Sequence, residues 1–146
     1  MSDRHIDPER AQFDAFKTLP RDTPIHMLNL VRFKEQATYP AGHALAGRDL
    51  SGAEAYAHYG ADSGAVFQRV GGRIVWRGTM EAMVIGPDGE YWDAMFIAEY
   101  PNSGAFMEMV TDPVYRVAVL HRQAAVETSR LIRCDPKASQ AGTVFG

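Results

Sequence analysis

The stretch Ser51–Gly78, SGAEAYAHYGADSGAVFQRVGGRIVWRG, contains the signals for a helix, for its end and for the strand that follows. Ser51 and Glu54 form a capping box, in which each side chain can accept a hydrogen bond from the other residue's backbone N–H. The apolar residues at helical spacing are Ala55, Tyr59, Val66 and Val70. Two glycines then stop the helix. We therefore predict a helix from the capping box to about residue 70, and a strand from Arg73.

Gly60 and Gly64 lie one turn apart inside this predicted helix. A glycine in the middle of a helix costs up to about 1 kcal/mol relative to alanine. We expect a close approach of another backbone segment to compensate for this cost.

Alternating apolar residues and turn residues define the rest of the chain downstream. The tetrapeptide Gly86-Pro87-Asp88-Gly89 is a turn signal between two apolar runs, which predicts a long β-hairpin. In chain order, the predicted elements are strand Arg73–Ile85, strand Tyr91–Tyr100, a short helix from Ser103 to Val110, a helix that starts at Asp112-Pro113, and strand Thr128–Arg133.

Upstream, Ile25–Phe33 is a short apolar stretch flanked by polar residues, which predicts a strand. Asp7-Pro8 is typical of a helix start, with Asp7 as the N-cap, and apolar residues continue at helical spacing to Leu19. Residues 34–50 contain a proline and several glycines. They predict a loop that is longer than most connections, and therefore either a functional loop or an insertion.

The predicted order is β-α-β-β-α-β after an N-terminal helix. This order is typical of the ferredoxin-like α+β fold, in which one antiparallel sheet carries both helices on one face. A chain of 146 residues is long enough for one domain. We predict a helical lead-in over residues 1–24, a single domain over residues 25–134 and a flexible tail over residues 135–146.

The composition narrows the class of protein. The 15 Lys and Arg residues against 18 Asp and Glu give a net charge of −3, whereas nucleic-acid binders usually carry a basic surplus, so we expect no nucleic-acid partner. The single cysteine, Cys134, allows no disulfide within the chain. We find neither a signal-peptide pattern nor an apolar run long enough to span a membrane. These features favour a cytoplasmic protein without a membrane partner.

The second face of the predicted sheet is partly apolar. Strict alternation places Ile74, Trp76 and Gly78 on one face of their strand. In the next strand it places Phe96 and Ala98 on one face and the residues on either side of them on the other. The helices can cover only one face, and a large exposed apolar patch usually marks an interface. We therefore predict a homodimer that stacks two sheets face to face. The alternative is a partly wet sheet in a monomer.

Four segments carry a family resemblance: Glu54–Gly78, Ile97–Pro101 (IAEYP), Asp112–Ala125 (DPVYRVAVLHRQAA) and Ser129–Ile132 (SRLI). Together they resemble the domain-of-unknown-function 1330 family, within the dimeric α+β barrel superfamily. The resemblance implies a ferredoxin-like protomer, a dimer, and a cavity between the sheet and the helices. The wider superfamily includes cofactor-independent monooxygenases, isomerases, dehalogenases and haem-dependent enzymes, so the resemblance does not specify a reaction.

The spacing of potential ligands argues against a metal. No two of the five histidines stand at metal-ligand spacing and the chain has no Cys-x-x-Cys motif, so we predict no metal site. Haem is a minor alternative, because one axial histidine is enough and His121 is a candidate. Otherwise we expect no cofactor.

His121 and Asn29 are the candidate catalytic residues. His121 lies on the stripe of the last helix that we expect to face the sheet, and an imidazole can take or give a proton at physiological pH. Asn29 lies among apolar residues of its strand, where its amide could polarise a substrate carbonyl. Each has a structural alternative, because a helix-terminal histidine can bond a carbonyl and a buried amide can bond a neighbouring side chain.

Further residues are candidates for substrate binding. Tyr56, Tyr59 and Trp76 could form one wall of a mostly apolar pocket, or a core with satisfied hydroxyls. Arg32 and Arg122 could hold a carboxylate, although we expect Arg122 to be exposed. Asp93 is a binding candidate too.

Asp93 and Glu99 share a strand face and stand opposite Arg73, Arg77 and Glu81 on the other strand of the predicted hairpin. Ion pairing across the strands or across a dimer is favoured for them over acid–base catalysis.

Three functions remain open for the protein. The first is binding of a small, partly apolar organic molecule, with cofactor-independent proton transfer or oxygenase-type chemistry if the protein is an enzyme. The second is a non-catalytic binder or sensor that uses the same cavity. The third is a structural dimerisation module, which predicts a filled core without a cavity.

Overall fold

The computed structural model describes residues 4–136 and contains four helices and four strands within them. In chain order they are α1 Arg10–Thr18, β1 Ile25–Phe33, α2 Gly52–Arg69, β2 Arg73–Gly78, β3 Ala94–Tyr100, α3 Ser103–Thr111, α4 Pro113–Ala125 and β4 Val126–Cys134. After α1 this is the predicted β-α-β-β-α-β order, with α3 and α4 in the place of the second helix. The division of the chain into lead-in, domain and tail stays a prediction, and residues 137–146 of the tail lie outside the described residues.

The four strands form one antiparallel sheet in the order β2-β3-β1-β4. The strand β1 lies inside the sheet, with Ile25 opposite Tyr100 of β3 and His26 opposite Cys134 of β4. The sheet order and the helices on one face confirm the predicted ferredoxin-like α+β fold.

The core lies between the sheet and the helices. Its main cluster contains Ile25, Met27, Ala98 and Tyr100 from the sheet with Val66, Phe106, Met109 and Tyr115 from the helices. A smaller cluster joins Val31 to Ala55, Ala125 and Val126. These contacts fix the helix-facing side of the sheet, because residues directly opposite each other on paired strands share a face.

The predicted β-hairpin is wrong in length. The strand β2 ends at Gly78 and β3 begins at Ala94, so residues 79–93 form an irregular connection. Asp93 explains the late start of β3, because its backbone N–H donates to Val31 O (2.7 Å) and its carboxylate accepts from the backbone N–H of Phe33 (2.8 Å). The Asp93 carboxylate thus takes the place of the next backbone hydrogen bond between β1 and β3.

A β-bulge reverses the predicted face of Trp76. Ile74 stands opposite Ala98, but the register shifts and Trp76 stands opposite Ile97. One extra residue in a strand turns all later side chains to the other face. Trp76 therefore lies on the face away from the helices, and its side chain is 47% exposed.

Two predicted boundaries are also corrected at the ends of helices. The helix α1 starts at Arg10 with Glu9 as its N-cap, and Asp7 instead accepts a hydrogen bond from the Gln123 amide (3.2 Å). The strand β4 starts at Val126, directly after α4, two residues earlier than the sequence pattern predicts. None of the described helices is long and apolar enough to cross a membrane.

Candidate functional site

A cavity of about 1570 Å³ lies between the sheet and the helices α2 and α4. Ligand pockets in proteins usually measure about 300–1,000 Å³, so this volume can hold a small organic molecule. The helix α1 lies along the cavity, where the Phe16 ring packs on Phe106 with centroids 5.3 Å apart. No residue of the 34–50 loop lines the cavity.

Four tyrosines give the cavity an aromatic wall with polar tips: Tyr56, Tyr59, Tyr100 and Tyr115. The Tyr59 and Tyr115 hydroxyls are hydrogen-bonded to each other at 2.8 Å, and the Tyr56 and Tyr59 rings lie 5.3 Å apart. Burial raises the pKa of each of the four phenols. The phenols are therefore neutral near pH 7 and can donate hydrogen bonds to a ligand.

Asn29 projects from the helix-facing side of β1 into this space. Its amide nitrogen donates to Met27 O at 3.0 Å, which fixes the side chain. Within residues 4–136, neither Asn29 Oδ1 nor the Tyr56 hydroxyl has a hydrogen bond, and no buried polar side-chain atom is left without a partner, so both atoms are open to the cavity. They offer a ligand one acceptor and one donor.

The structure brings four of the predicted site residues together at the cavity: Asn29, Tyr56, Tyr59 and Asp93. Arg122 also lines it and is half-buried, so the expectation that it is exposed is wrong. Of the predicted charge pairs, Arg73 does bond Glu99, at 2.6 Å. This guanidinium, together with His26, holds the pKa of the Glu99 carboxyl below its usual range.

Three predicted site residues lie elsewhere. Trp76 is on the opposite face of the sheet, as the bulge requires. Arg32 stacks over the Tyr91 ring at 4.1 Å, at the edge of that same face. His121 does not face the sheet, and it lies outside the cavity lining.

His121 lies instead at the centre of a hydrogen-bonded chain between α2, α4 and the 34–50 loop. Its Nε2 is 3.0 Å from the Asp62 carboxylate and its Nδ1 is 2.7 Å from the Tyr39 hydroxyl. A carboxylate only accepts hydrogen bonds, so neutral His121 donates from Nε2 and accepts from Tyr39 at Nδ1. This arrangement holds the loop onto the helix pair.

Two more imidazoles surround His121. The His43 and His58 rings lie 5.4 and 5.3 Å from its ring, and His43 stacks on Tyr39 at 4.5 Å. Burial lowers the pKa of His121 more than the neighbouring Asp62 raises it. Burial also raises the pKa of the Tyr39 phenol. At neutral pH the cluster therefore contains an uncharged His121.

The hydrogen bonds of His121 to Tyr39 and Asp62 argue against His121 as a haem ligand, because they occupy both nitrogens of its ring. In residues 4–136, no group of three or more His, Cys, Asp and Glu side chains is arranged to hold a metal ion.

Sequence reasoning missed Tyr39 and Asp62. Tyr39 lies in an irregular loop, where no periodicity indicates a partner. The sequence does indicate that Asp62 lies near a histidine, since Asp62 follows His58 by four residues and therefore shares a face of α2 with it.

The two glycines inside α2 correct another expectation. A Cβ added at Gly60 or Gly64 would meet no atom within 4 Å, so no backbone segment approaches either residue closely. Both residues border the cavity instead.

The fold and the cavity define a ferredoxin-like α+β protein with a potential ligand site between sheet and helices. The chain belongs to the family described as Domain of unknown function (DUF1330), whose model matches residues 41–133. The resemblance predicted from the sequence is thereby confirmed. No curated protein matches the chain significantly.

Solved structures extend this comparison. The chain is 56% identical to a protein of unknown function from Rhodopseudomonas palustris, with a TM-score of 0.86 over 93% of this chain and 99% of that one. A NIPSNAP-like domain protein from Burkholderia xenovorans is 14% identical, with a TM-score of 0.51 over 82% and 90% of the two chains, and shares the fold alone.

A more distant likeness is to SnoaB, a cofactor-independent oxygenase from Streptomyces nogalater. It is 15% identical, with a TM-score of 0.49 over 82% of this chain and 98% of that one. At this level of likeness its chemistry does not transfer to this chain.

Proposed function

We propose that the protein binds a small, partly apolar organic molecule in the cavity between its sheet and its helices. The observation that carries the proposal is the cavity itself, a space of about 1570 Å³ with an aromatic wall. Asn29 Oδ1 and the Tyr56 hydroxyl add an open acceptor and an open donor, which suits the few placed polar groups of ligand sites. A structural module would be expected to fill this space.

Binding without catalysis is better supported than catalysis. The predicted mechanism needs His121 and Asn29 in one site, yet His121 is bonded to Tyr39 and Asp62 away from the cavity lining. The four cavity phenols have raised pKa values and remain neutral near pH 7. The second candidate function is proton transfer, which the hydrogen-bonded series Tyr39–His121–Asp62 favours. That candidate requires that His121→Ala abolish turnover in a protein that remains folded.

A fluorescence titration with the neutral dye N-phenyl-1-naphthylamine tests the binding proposal. We expect saturable binding to the wild-type protein. Gly60→Leu should weaken it, because residue 60 borders the cavity and a Cβ there meets no protein atom within 4 Å, so the added side chain takes up space at the cavity. Gly42→Leu is the matched control, since Gly42 has the same free space but lies in the 34–50 loop. Absence of binding, or equal binding by both variants, would contradict the proposal.

We also propose that the protein is a homodimer that stacks two sheets through their outer faces. The outer face is the side of the sheet away from the helices. Its apolar residues are Leu28, Leu30, Trp76, Met95, Ile97 and Ile132, as the strand registers place them. Trp76 and Ile132 are 47% and 45% exposed in the single chain. Side chains of this size gain about 1.5–3 kcal/mol each when they leave water, which favours a second copy of the chain as the cover.

Light scattering after size exclusion tests the dimer. We expect a dimer for the wild-type protein and a monomer for Leu28→Glu, because a carboxylate would be buried without a partner between the sheets. Val117→Glu is the control, since Val117 is 61% exposed on α4, away from the outer face. A wild-type monomer at micromolar concentration would overturn the proposal.

A further inference from the structure

The cavity concentrates positive charge in a chain that is negative overall. The net charge of the whole chain is −3. Among the described residues, two acidic residues line the cavity, Asp7 and Asp93. The arginines of the lining are Arg77, Arg116, Arg122 and Arg133, whereas Arg130 borders the cavity from the outer face, opposite Leu30.

Ion pairing is mixed among the arginines outside the cavity lining, because Arg21, Arg32 and Arg48 take part in none of the ion pairs within residues 4–136, whereas four others do. Elsewhere Arg4, Arg10, Arg69 and Arg73 each form an ion pair with a carboxylate. Within residues 4–136 the ion pairs include none of the four cavity arginines. Arg133, for example, donates to the carbonyls of Phe16 and Pro20, which are neutral acceptors. The positive charge around the cavity is therefore not balanced by the described carboxylates.

Arg122 is the cavity arginine that is best positioned to meet a ligand. It is half-buried on α4, and it donates to the Ile6 carbonyl and to Ser129 Oγ, the latter at 3.0 Å. These two neutral acceptors fix the guanidinium but leave its charge and its other N–H groups unmatched. Arg122 is also close enough to the aromatic wall to lower the pKa of Tyr56, Tyr59 and Tyr115 against the effect of burial.

We propose that the ligand of this cavity is an organic acid, with its anionic group held by Arg122 and its apolar body lying along Tyr56, Tyr59 and Tyr100. This inference rests on the proposed binding function and adds the chemical class of the ligand. A guanidinium is weakly hydrated and presents parallel N–H groups, so it binds carboxylate-like anions in a partly buried site better than an ammonium group does. The phenols, being neutral, add donors without repelling the anion.

Two dyes that share one skeleton separate this inference from the binding proposal. N-Phenyl-1-naphthylamine is neutral, and 8-anilinonaphthalene-1-sulfonate adds an anionic sulfonate to the same rings. We expect the sulfonate dye to bind the wild-type protein more tightly than the neutral dye. Gly60→Leu should weaken both, which shows that they occupy the cavity. If the neutral dye binds and the sulfonate dye gains nothing, the organic-acid inference fails and the binding function stands. If neither dye binds, both fail.

Variants of Arg122 test the role of this side chain. Arg122→Gln should weaken the sulfonate dye about tenfold or more, because hydrogen bonds to charged groups contribute about 1.5–3 kcal/mol. The neutral dye should change less than about twofold, and Arg122→Lys should recover part of the loss because it restores the charge without the fork. Equal losses of both dyes in Arg122→Gln, or no loss, would overturn the assignment to Arg122.

The wild-type protein provides a test that does not depend on the folding of a variant. Raising the salt concentration from about 0.02 to about 0.5 M screens charge attraction, so it should weaken the sulfonate dye relative to the neutral one. The same dependence on salt for both dyes would overturn the inference.

Discussion

Single glycines in α2 show how much the surroundings of a residue decide the effect of one methyl group. A Cβ at Gly52 would lie 2.1 Å from the Lys34 carbonyl oxygen and 2.9 Å from that of Ala125, whereas a Cβ at Gly60 would meet nothing within 4 Å. The first glycine allows the helix start to touch the end of β1. The second costs helix stability and leaves space at the cavity.

We expect Gly52→Ala and Gly60→Ala to change stability in opposite directions. The first should lower the free energy of unfolding by about 1–3 kcal/mol, because backbone atoms must move to admit the methyl group. The second should raise it by up to about 1 kcal/mol through helix propensity. Urea denaturation measures both. A loss of stability in Gly60→Ala would show that the residue does not border free space.

His121 should make the stability of the protein depend on mildly acidic pH. Its pKa in the folded chain lies below its ordinary value of 6.5, chiefly because of burial. The unfolded chain therefore binds the proton more readily, so acid favours unfolding. We expect the free energy of unfolding to fall as the pH drops below about 6.5, and to level off below the folded pKa.

The groups that face His121 are Tyr39, His43, His58 and Asp62. Denaturation of His121→Gln at several pH values isolates the contribution of His121, since the slope between about pH 6.5 and pH 5 should shrink in this variant. An unchanged slope in His121→Gln would contradict the prediction.

At the scale of elements, the sequence predicts what local patterns determine. The bounds of β1 are those predicted, and the capping box at Ser51 starts α2 as expected, with Glu54 N–H donating to Ser51 Oγ at 3.0 Å. The bulge in β2 has no such signal, because it arises from the pairing with β3. The extra residue of the bulge places Trp76 on the face of the sheet away from the predicted site. In the same way, the hydrogen bond to Tyr39 of the 34–50 loop holds His121 outside the cavity lining.

The helix α1 should open independently of the rest of the fold. None of its residues is buried, and its main contacts are Phe13 and Phe16 on the core and the Arg133 bonds to the Phe16 and Pro20 carbonyls. Phe16→Ala should speed hydrogen exchange in α1 while it lowers the global free energy of unfolding by less than about 2 kcal/mol.

Phe106→Ala is the contrasting variant, because Phe106 is 6% exposed in the main core cluster. It should lower global stability by about 3–5 kcal/mol. Mass spectrometry of exchanged peptides compares the two variants. Equal protection of α1 and α2 in the wild-type protein would show that α1 belongs to the cooperative core.

For the whole molecule, the covered inner face and the bare outer face of the sheet link folding to association. The helices protect Ile25, Met27 and Ala98, whereas Trp76 and Ile132 on the other face are about half exposed in the single chain. If a second copy covers them, only the folded chain can form that contact, and association stabilises the fold by mass action.

The melting temperature should therefore rise with protein concentration across a range of about a hundredfold. Leu28→Glu should melt at a lower temperature that does not depend on concentration, because the charge prevents the sheets from stacking. Val117→Glu should keep the wild-type dependence, since its side chain is already 61% exposed. Differential scanning fluorimetry at several concentrations measures all three proteins. A concentration-independent wild-type melting temperature would mean that the outer face does not contribute to the fold through a second copy.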